Sequence, residues 1–206
     1  MEHIAPIITY SRLRMAVDGP GIVTLVCFHG CPLRCRWCIN PFSHQPGTQC
    51  KYRNAQRLYD EIKLDELYFL STGGGVTFGG GEPLLYSEFL RDFRRLCGPD
   101  WHLCVETSLS VPWQKVAMAT NVIDHFYVDC KDTNPDIYRR YTGLDNRQML
   151  ENLAKLLQIV GPDRITVRIP LIPQYNTEED QHRSRALLEA MGIRHFDLFS
   201  YIIPQQ

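Results

Sequence analysis

The sequence predicts an α/β fold, a partial and open (β/α)6 barrel, because six short apolar, β-branched runs alternate with helical patterns. The runs lie at 22–28, 75–78, 101–106, 124–129, 164–170 and 195–199. Strands that alternate with helices pair in parallel through right-handed crossovers. Six strands are too few for a closed eight-stranded barrel. With 206 residues, 44% of them hydrophobic, and no linker-like segment, we expect one domain covering residues 1–206.

Helical periodicity between the runs supports this order of elements. The clearest helical patterns cover 54–69, 86–97, 146–159 and 177–191. Before the third helix, Asn146 is a predicted cap, and Gly161-Pro162 ends that helix. The loops after the first four strands fall at the carboxyl ends of those strands. Parallel α/β folds place their active sites at that end, so we expect the site there.

Composition excludes several classes of function. The formal net charge is −1, the pI is about 6.6 and no Lys/Arg block occurs, so we expect no nucleic-acid partner. No apolar run approaches the ~18 residues of a membrane span and no signal peptide is apparent, which predicts a soluble, cytoplasmic protein. Five scattered cysteines do not form a disulfide framework. We predict that Cys97, Cys104 and Cys130 are small buried hydrophobes. The roles of Cys27 and Cys50, which lie near the cysteine loop, are left open.

Three closely spaced cysteines, Cys31-x3-Cys35-x2-Cys38, follow the first predicted strand. Three thiolates can hold three irons of a cubane cluster and leave the fourth iron open for a substrate or cofactor. A structural zinc site is the alternative. Zinc takes four ligands, but no second Cys-x2-Cys or His-x3-His pair is present, so Cys27, His29 or Cys50 would have to be the fourth.

Other polar residues lie at predicted strand ends, and each also has an ordinary structural interpretation. Gly79-Gly80-Gly81-Glu82-Pro83 is either a ligand-binding loop or a glycine turn that begins a helix. Asp129 and Lys131 project to one side of a strand end, which also suits a solvated ion pair. Arg168 lies inside a strand and needs an anionic partner, either a ligand carboxylate or an acidic neighbour.

The ordered series of motifs resembles the radical S-adenosylmethionine (SAM) superfamily, in particular the activating enzymes of glycyl radical enzymes, of the pyruvate formate-lyase activating type. The resemblance covers roughly residues 15 to 200. It rests on Asp18-Gly19-Pro20-Gly21, the segment from Gly30 to Cys38, Asn40-Pro41, GGGVTFGGGEPLL at 73–85, Asp129-x-Lys131-Asp132, Tyr141-Thr142-Gly143, and VRIPLIP at 167–173.

The resemblance implies one [4Fe–4S] cluster held by Cys31, Cys35 and Cys38, with SAM chelating the fourth iron. An electron from a flavodoxin- or ferredoxin-type donor would drive reductive cleavage of SAM to a 5′-deoxyadenosyl radical. That radical would take hydrogen from a glycine of a partner glycyl radical enzyme or peptide substrate. The cysteines and Lys131 would be catalytic. The cofactor-binding residues would be Trp37, Asn40, Gly80, Gly81, Glu82, Glu106, Thr107, Asp129, Lys131 and Arg168. For Trp37 and Asn40, simple packing and an Asn-Pro turn are the alternatives.

Three departures from that family keep a second function open, and Gly79 is a further, mild one. The inserted ferredoxin-like cluster region is absent, Val23 replaces an arginine, and Gly79 replaces a serine. At the C-terminus, Tyr201 can occupy the family's tyrosine position, but Ile202 falls where a histidine is expected. We therefore expect that end of the site to be incomplete until a partner covers it, with SAM bound more tightly in the partner's presence. The alternative is a radical SAM enzyme that modifies a small metabolite or a ribosomal peptide. A metal-stabilised binding module is a more distant third.

Overall fold

The computed structural model describes residues 2–15 and 17–201. Within them the strands are β1 Ile4–Met15, β2 Ile22–Phe28, β3 Lys51–Asn54, β4 Gly75–Gly80, β5 His102–Thr107, β6 His125–Asp129, β7 Ile165–Leu171 and β8 His195–Ser200. The helices are α1 Ala55–Ile62, α2 Glu66–Thr72, α3 Ser87–Cys97, α4 Trp113–Ala119, α5 Pro135–Thr142, α6 Arg147–Val160 and α7 Glu178–Ala190. Short 3-10 turns lie at Pro41–Ser43, Lys63–Asp65, Pro83–Tyr86 and Pro162–Arg164.

All described strands form one sheet in the order β3-β1-β2-β4-β5-β6-β7-β8. From β2 to β8 the neighbours are parallel, which confirms the six predicted strands and the open (β/α)6 barrel. β1 and β3 pair antiparallel and extend the sheet beyond β2. The sheet therefore has two free edges, β3 and β8, and all the parallel strands point their carboxyl ends the same way.

Alternation along each strand separates the apolar core from the lumen of the barrel. In β6, Phe126 and Val128 are fully buried within the core cluster, whereas Tyr127 and Asp129 point to the other face. Aromatic rings fill the space under the helices: Phe78 contacts both Phe28 and Phe93, with ring centroids 5.9 and 5.4 Å apart. Each such buried side chain contributes roughly 1.5–3 kcal/mol to folding. The polar residues of the same strands are left to line the lumen.

The predicted helix 54–69 is broken in the structure, because a buried carboxylate interrupts it. Asp65 is 1% exposed and accepts hydrogen bonds from Arg12 Nε (2.7 Å) and Thr24 Oγ1 (3.4 Å). The chain passes through a 3-10 turn at that point and continues as α2, which ends at Gly73 with φ of 68°. The sequence pattern showed one amphipathic segment and gave no sign of this inward-facing acid.

Asn146 does occupy the position before α6, but its predicted capping role is wrong. Its side-chain amide donates to the carbonyl oxygens of Asp132 (3.3 Å) and Thr133 (2.7 Å), and makes no cap hydrogen bond to α6. The Asp145 carboxylate accepts from Arg147 N instead, at 3.1 Å. Asn146 thus ties α6 to the segment after β6. In the described part of the chain, no helix is long and apolar enough to cross a membrane.

Candidate functional site at the carboxyl ends of the strands

The loop with the three cysteines leaves the carboxyl end of β2 and is held by backbone hydrogen bonds from two sides. Gly30 N donates to Ser43 O at 2.6 Å, which folds the loop back on the 3-10 turn. Arg34 N and Arg36 N donate to the carbonyl oxygens of Thr142 (2.8 Å) and Tyr141 (3.1 Å) at the end of α5. These carbonyls need external donors because a helix leaves its last ones unpaired. The end of α5 therefore fixes the segment between the cysteines.

The three thiols of this loop are half-buried. Neighbouring thiols contribute to the raised pKa values of Cys31 and Cys35. Burial raises the pKa of Cys31 to about 12, and the Glu82 carboxylate adds to the effect. Burial likewise raises the pKa of Cys35 to about 11, while the Lys131 ammonium opposes the rise. Cys31 and Cys35 therefore hold their protons in the metal-free protein. Binding of metal would release those protons, because thiolates are the ligands.

The chemistry of this loop fits an iron–sulfur cluster. Three buried polar atoms in residues 37–44 have no hydrogen-bond partner among the described residues: Trp37 Nε1, Ser43 Oγ and His44 Nε2. Buried donors are normally paired, and the sulfurs of a cluster accept hydrogen bonds. In the described ranges no three His, Cys, Asp or Glu side chains converge enough to share one ion. A cubane needs no such convergence, because each cysteine binds a different iron.

The glycine segment after β4 packs directly against the start of the cysteine loop. Gly81 N donates to Phe28 O (2.9 Å) and Glu82 N to Gly30 O (2.7 Å). A Cβ at Gly81 would collide with the carbonyl of Gly30, and one at Gly80, whose φ is +85°, would lie 2.7 Å from Cys27 Cα. The absence of side chains thus lets the backbone after β4 approach the cysteine loop closely. A side chain at either position would displace the cysteines.

Glu82 is buried at 1% exposure and links the glycine segment to the end of β5. Its Oε1 accepts from Thr107 Oγ1 (2.7 Å) and Leu84 N (3.2 Å), and its Oε2 accepts from Ser108 N (2.8 Å) and Ser108 Oγ (2.7 Å). Burial raises the pKa of Glu82, against the lowering effect of these donors. Thr107 was predicted in the cofactor site, and the structure places it on this carboxylate. Ser108 was missed, although a buried glutamate requires such donors.

Four predicted residues form one chain of alternating charges across β5, β6 and β7, which we call the charge chain: Glu106, Arg168, Asp129 and Lys131. Arg168 donates from Nη1 to Glu106 Oε1 and from Nε to Asp129 Oδ1, each at 2.7 Å. Lys131 Nζ donates at 2.9 Å to both Asp129 Oδ2 and the hydroxyl of Tyr201. Arg168 is thus paired with acidic neighbours, the structural alternative considered for it. The charges of the chain sum to zero.

The pairing shifts the titration of each member of the charge chain. Burial acts to raise the pKa of Asp129, but Arg168 and Lys131 outweigh it and hold that pKa well below its usual range. Burial acts to lower the pKa values of Lys131 and Arg168, but their carboxylate neighbours outweigh it and hold both pKa values above normal. Burial raises the pKa of Glu106, with Arg168 opposing. Asp129, Lys131 and Arg168 therefore stay charged around neutral pH.

The remaining predicted residues lie around this centre. Trp37 accepts a hydrogen bond at its carbonyl from Tyr141 Oη (3.3 Å), and Asn40 begins the 3-10 turn without a side-chain cap. Asp18, in the loop between β1 and β2, contacts the inner face of β4. Thr77 Oγ1 donates to its carbonyl oxygen at 2.7 Å, and its carboxylate pairs with Arg14. Cys27, Cys97, Cys104 and Cys130 are buried, which confirms the structural prediction for the last three. Ile202 lies outside the described residues.

The fold and the three-cysteine loop define the class of protein. The model of the Radical SAM superfamily matches residues 25–186, which is most of the chain, and the chain belongs to that superfamily. Its members use a [4Fe–4S] cluster and SAM. Cys31, Cys35 and Cys38, in the loop after the first parallel strand, are the residues that would hold the cluster here.

Relatives within the superfamily are activating enzymes. The (2S)-3-sulfopropanediol dehydratase activating enzyme of Klebsiella oxytoca is 30% identical over 98% of this chain and 84% of its own length. The pyruvate formate-lyase-activating enzyme of Listeria monocytogenes is 31% identical over 90% of this chain and 77% of its own length. The first alignment is 268 positions long, longer than this chain, so that relative carries inserted segments that this chain lacks.

Solved structures confirm the fold. Streptococcus suis SuiB bound to its precursor peptide SuiA superposes with a TM-score of 0.64 at 13% identity, over 87% of this chain and 39% of that one. Native anSMEcpe with bound AdoMet and the Kp18Cys peptide gives 0.58 at 18% identity, over 85% of this chain and 49% of that one. At such identities the likeness concerns the open barrel alone.

Proposed function

We propose that this protein installs a glycyl radical on a partner enzyme, using SAM cleaved at a cluster held by Cys31, Cys35 and Cys38. The observation that carries the proposal is the match to an activating enzyme at 30% identity over nearly the whole chain. The three cysteines lie at the carboxyl end of β2, beside the charge chain, where parallel α/β folds place their chemistry. When bound, the cluster and SAM supply the one-electron cleavage and the hydrogen abstraction.

The residues of the chain bind and orient the cofactor. We assign the SAM-binding role to the half-buried Gly80 and Gly81 of the glycine segment and to the charge chain. SAM carries both an ammonium and a carboxylate, and the charge chain offers both signs of charge within hydrogen-bond distance of each other. The hydrogen bond from Thr107 to Glu82 ties the glycine segment to the end of β5. Lys131 lies near enough to the cysteine loop to lower the pKa of Cys35.

The electron paramagnetic resonance spectrum of a candidate partner tests the main proposal. Anaerobically reconstituted protein, SAM, a reductant and a partner carrying a glycyl radical motif should give a glycyl-type doublet, and Cys35→Ala should abolish it. Cys97→Ala is the matched control, because Cys97 is buried at the end of α3, away from the cysteine loop. Turnover of a free metabolite or a ribosomal peptide, with no doublet, would favour the alternative target.

A second experiment tests the assignment of Lys131. Lys131→Ala should weaken SAM binding about tenfold or more, as expected for loss of a charged hydrogen bond worth ~1.5–3 kcal/mol. The iron content should stay at that of the parent, because Asp129 keeps its bond to Arg168. Lys155→Ala, an exposed lysine on α6, is the control. Unchanged SAM affinity in Lys131→Ala would show that the ammonium does not bind SAM.

A further inference from the structure

A strained and buried turn follows β5, next to Glu82. Leu109 has a φ of +53°, in the left-handed region that residues other than glycine seldom adopt. Leu109 and its two neighbours, Ser108 and Ser110, are all buried. We call residues 108–110 the serine turn. A strained backbone of this kind persists only where its surroundings hold it, and such strain is concentrated at functional sites.

Side chains from two directions hold the serine turn. From α6, the amide of Asn152 donates at 2.8 Å to the carbonyl oxygens of both Leu109 and Val111. From the end of β5, the hydroxyl of Thr107 accepts from Leu109 N at 2.9 Å. Asn152 and Thr107 are buried, and hydrogen bonds away from water are electrostatically stronger than those in contact with it. The serine turn is therefore a fixed support between β5 and α6.

Both serines of the turn also make side-chain hydrogen bonds. Ser108 Oγ donates to Glu82 Oε2 at 2.7 Å and accepts from Ser110 N at 3.3 Å. Ser110 Oγ lies 3.2 Å from the hydroxyl of Tyr138, a fully buried residue of α5, and the two groups share a hydrogen bond. A continuous chain of hydrogen bonds thus runs from Glu82 through the serine turn to Tyr138. We call this chain the serine bridge.

The two ends of the serine bridge belong to the two elements that hold the cysteine loop. At one end, Glu82 N donates to Gly30 O at 2.7 Å, directly before Cys31. At the other end, the last carbonyl oxygens of α5 accept from the two backbone N–H groups on either side of Cys35. Cys31 is thus tied to the glycine segment, and Cys35 is tied to α5. A bond that joins these two elements bears on the separation of the two cysteines.

Tyr138 lies close to the point where α5 holds the loop. It is one helical turn before Thr142, whose Oγ1 donates to Tyr138 O at 2.8 Å. Thr142 O is in turn the acceptor of Arg34 N, at 2.8 Å. Because α5 is a single short helix of eight residues, a displacement at Tyr138 is carried to the helix end. The hydroxyl of Tyr138 therefore acts on the cysteine loop through one helical turn.

We propose that Ser110 and Tyr138 are positioning residues for the cluster, because their hydroxyls join the two elements that hold the cysteine loop. This proposal rests on the proposed function only in that a cluster occupies that loop. Outer groups that orient metal ligands commonly change metal affinity about 10–100-fold when they are removed. With the serine bridge cut, each cysteine would keep its own anchor, but the separation of the two anchors would no longer be fixed. The cluster would then be held more loosely.

The experiment measures how fast an iron chelator removes iron from the anaerobically reconstituted protein, with neither SAM nor a partner present. Tyr138→Phe keeps the buried ring and removes only the hydroxyl, and Ser110→Ala removes the other half of the same bond. Each should speed iron release about fivefold, the factor that corresponds to ~1 kcal/mol for one hydrogen bond. The double variant should release iron no faster than the faster single variant, because both substitutions break one and the same bond.

The electron paramagnetic resonance spectrum of the reduced cluster is a second readout, which a general loss of stability would not move. Tyr138→Phe should shift the g values or broaden the signal, because the cysteine sulfurs would hold the irons at altered separations. Thr120→Val is the matched control: its buried hydroxyl donates to Ala117 O at 2.9 Å, just after α4, at the amino ends of the strands. The control should match the parent in both iron release and spectrum.

Three outcomes would overturn the proposal. One is iron release and a spectrum equal to the parent's in both single variants, and another is an additive effect in the double variant, which would mean that the two hydroxyls act independently. The third is an equal acceleration in Thr120→Val. Should Tyr138→Phe fail to fold, Ser110→Ala alone decides between these outcomes. Failure of the parent to assemble a cluster would overturn the proposed function as well, whereas unaltered variants overturn the positioning role alone.

Discussion

Replacement of Glu82 by glutamine should destabilise the protein although the two side chains have nearly the same shape. The carboxylate accepts four hydrogen bonds, two at each oxygen. A glutamine amide keeps one acceptor oxygen and puts an NH2 group where the other oxygen was. Leu84 N faces one oxygen and Ser108 N the other, and neither backbone N–H can turn away. Either orientation of the amide therefore places donor against donor.

The structure sets the size of this effect. The hydroxyls of Thr107 and Ser108 can rotate and accept from the new amide, so one backbone donor is left without a partner. Such a donor costs ~1–3 kcal/mol, and loss of the charge weakens the bonds that remain. Burial of a neutral amide is easier than burial of a charge, which offsets part of this. We expect a net loss of about 2–4 kcal/mol, a large share of the ~5–15 kcal/mol typical of a folded domain.

Urea denaturation of the metal-free protein, followed by circular dichroism, measures this loss as a lower midpoint at an unchanged slope. Glu189→Gln is the matched control, because Glu189 is 46% exposed and, within residues 2–15 and 17–201, its ion pair is with Arg185 on the same helix. That variant should lose no more than about 0.5 kcal/mol. If Glu82→Gln unfolded at the parent's midpoint, or no earlier than the control, the four hydrogen bonds would not stabilise the fold as argued.

Two further predictions concern the same end of the barrel. Gly81→Ala should cost about 1–3 kcal/mol and lower the iron content after reconstitution, because its Cβ meets the Gly30 carbonyl. Gly47→Ala adds backbone strain at a φ of +81° but meets no neighbouring atom, so it should keep the parent's iron content. Acidification should destabilise the parent below about pH 4, because the depressed pKa of Asp129 makes its contribution present above the unfolded-state value and lost as the pH falls. Asp129→Asn should show a shallower loss over that range in urea titrations, and an identical acid dependence would contradict the pairing with Arg168.

The sequence alone predicted the six parallel strands, because each apolar run is continuous and a helical pattern follows it. It did not predict β1 and β3. β3 has only four residues, and β1 contains Pro6 and has irregular register where it pairs with β2. The short helices α4 and α5 were also missed, since seven or eight residues carry little periodicity. Asp65 is buried through contacts with distant residues, and no local pattern records such contacts.

The candidate site was predicted in part. The residues Glu106, Asp129, Lys131 and Arg168 lie far apart in the sequence, yet they meet because parallel strands end at one edge. The resemblance predicts that they bind the cofactor, which stays a prediction, and the structure shows that they bind one another. Spacing could not reveal that mutual pairing, because it depends on the register of three neighbouring strands. The role of Ser108 was missed because it depends on the burial of Glu82, which the sequence pattern does not show.

The charge chain also decides how much the site must change when a ligand arrives. Opposite charges alternate across the carboxyl ends of β5, β6 and β7, and the hydroxyl of Tyr201, the residue after β8, bonds to the last of them. The strands therefore cannot spread without separating an ion pair in a place of low exposure. The charged side chains of the charge chain are therefore already oriented before any cofactor binds. Little reorganisation energy is then needed on binding, which is the condition under which fixed charges act most strongly on a reacting centre.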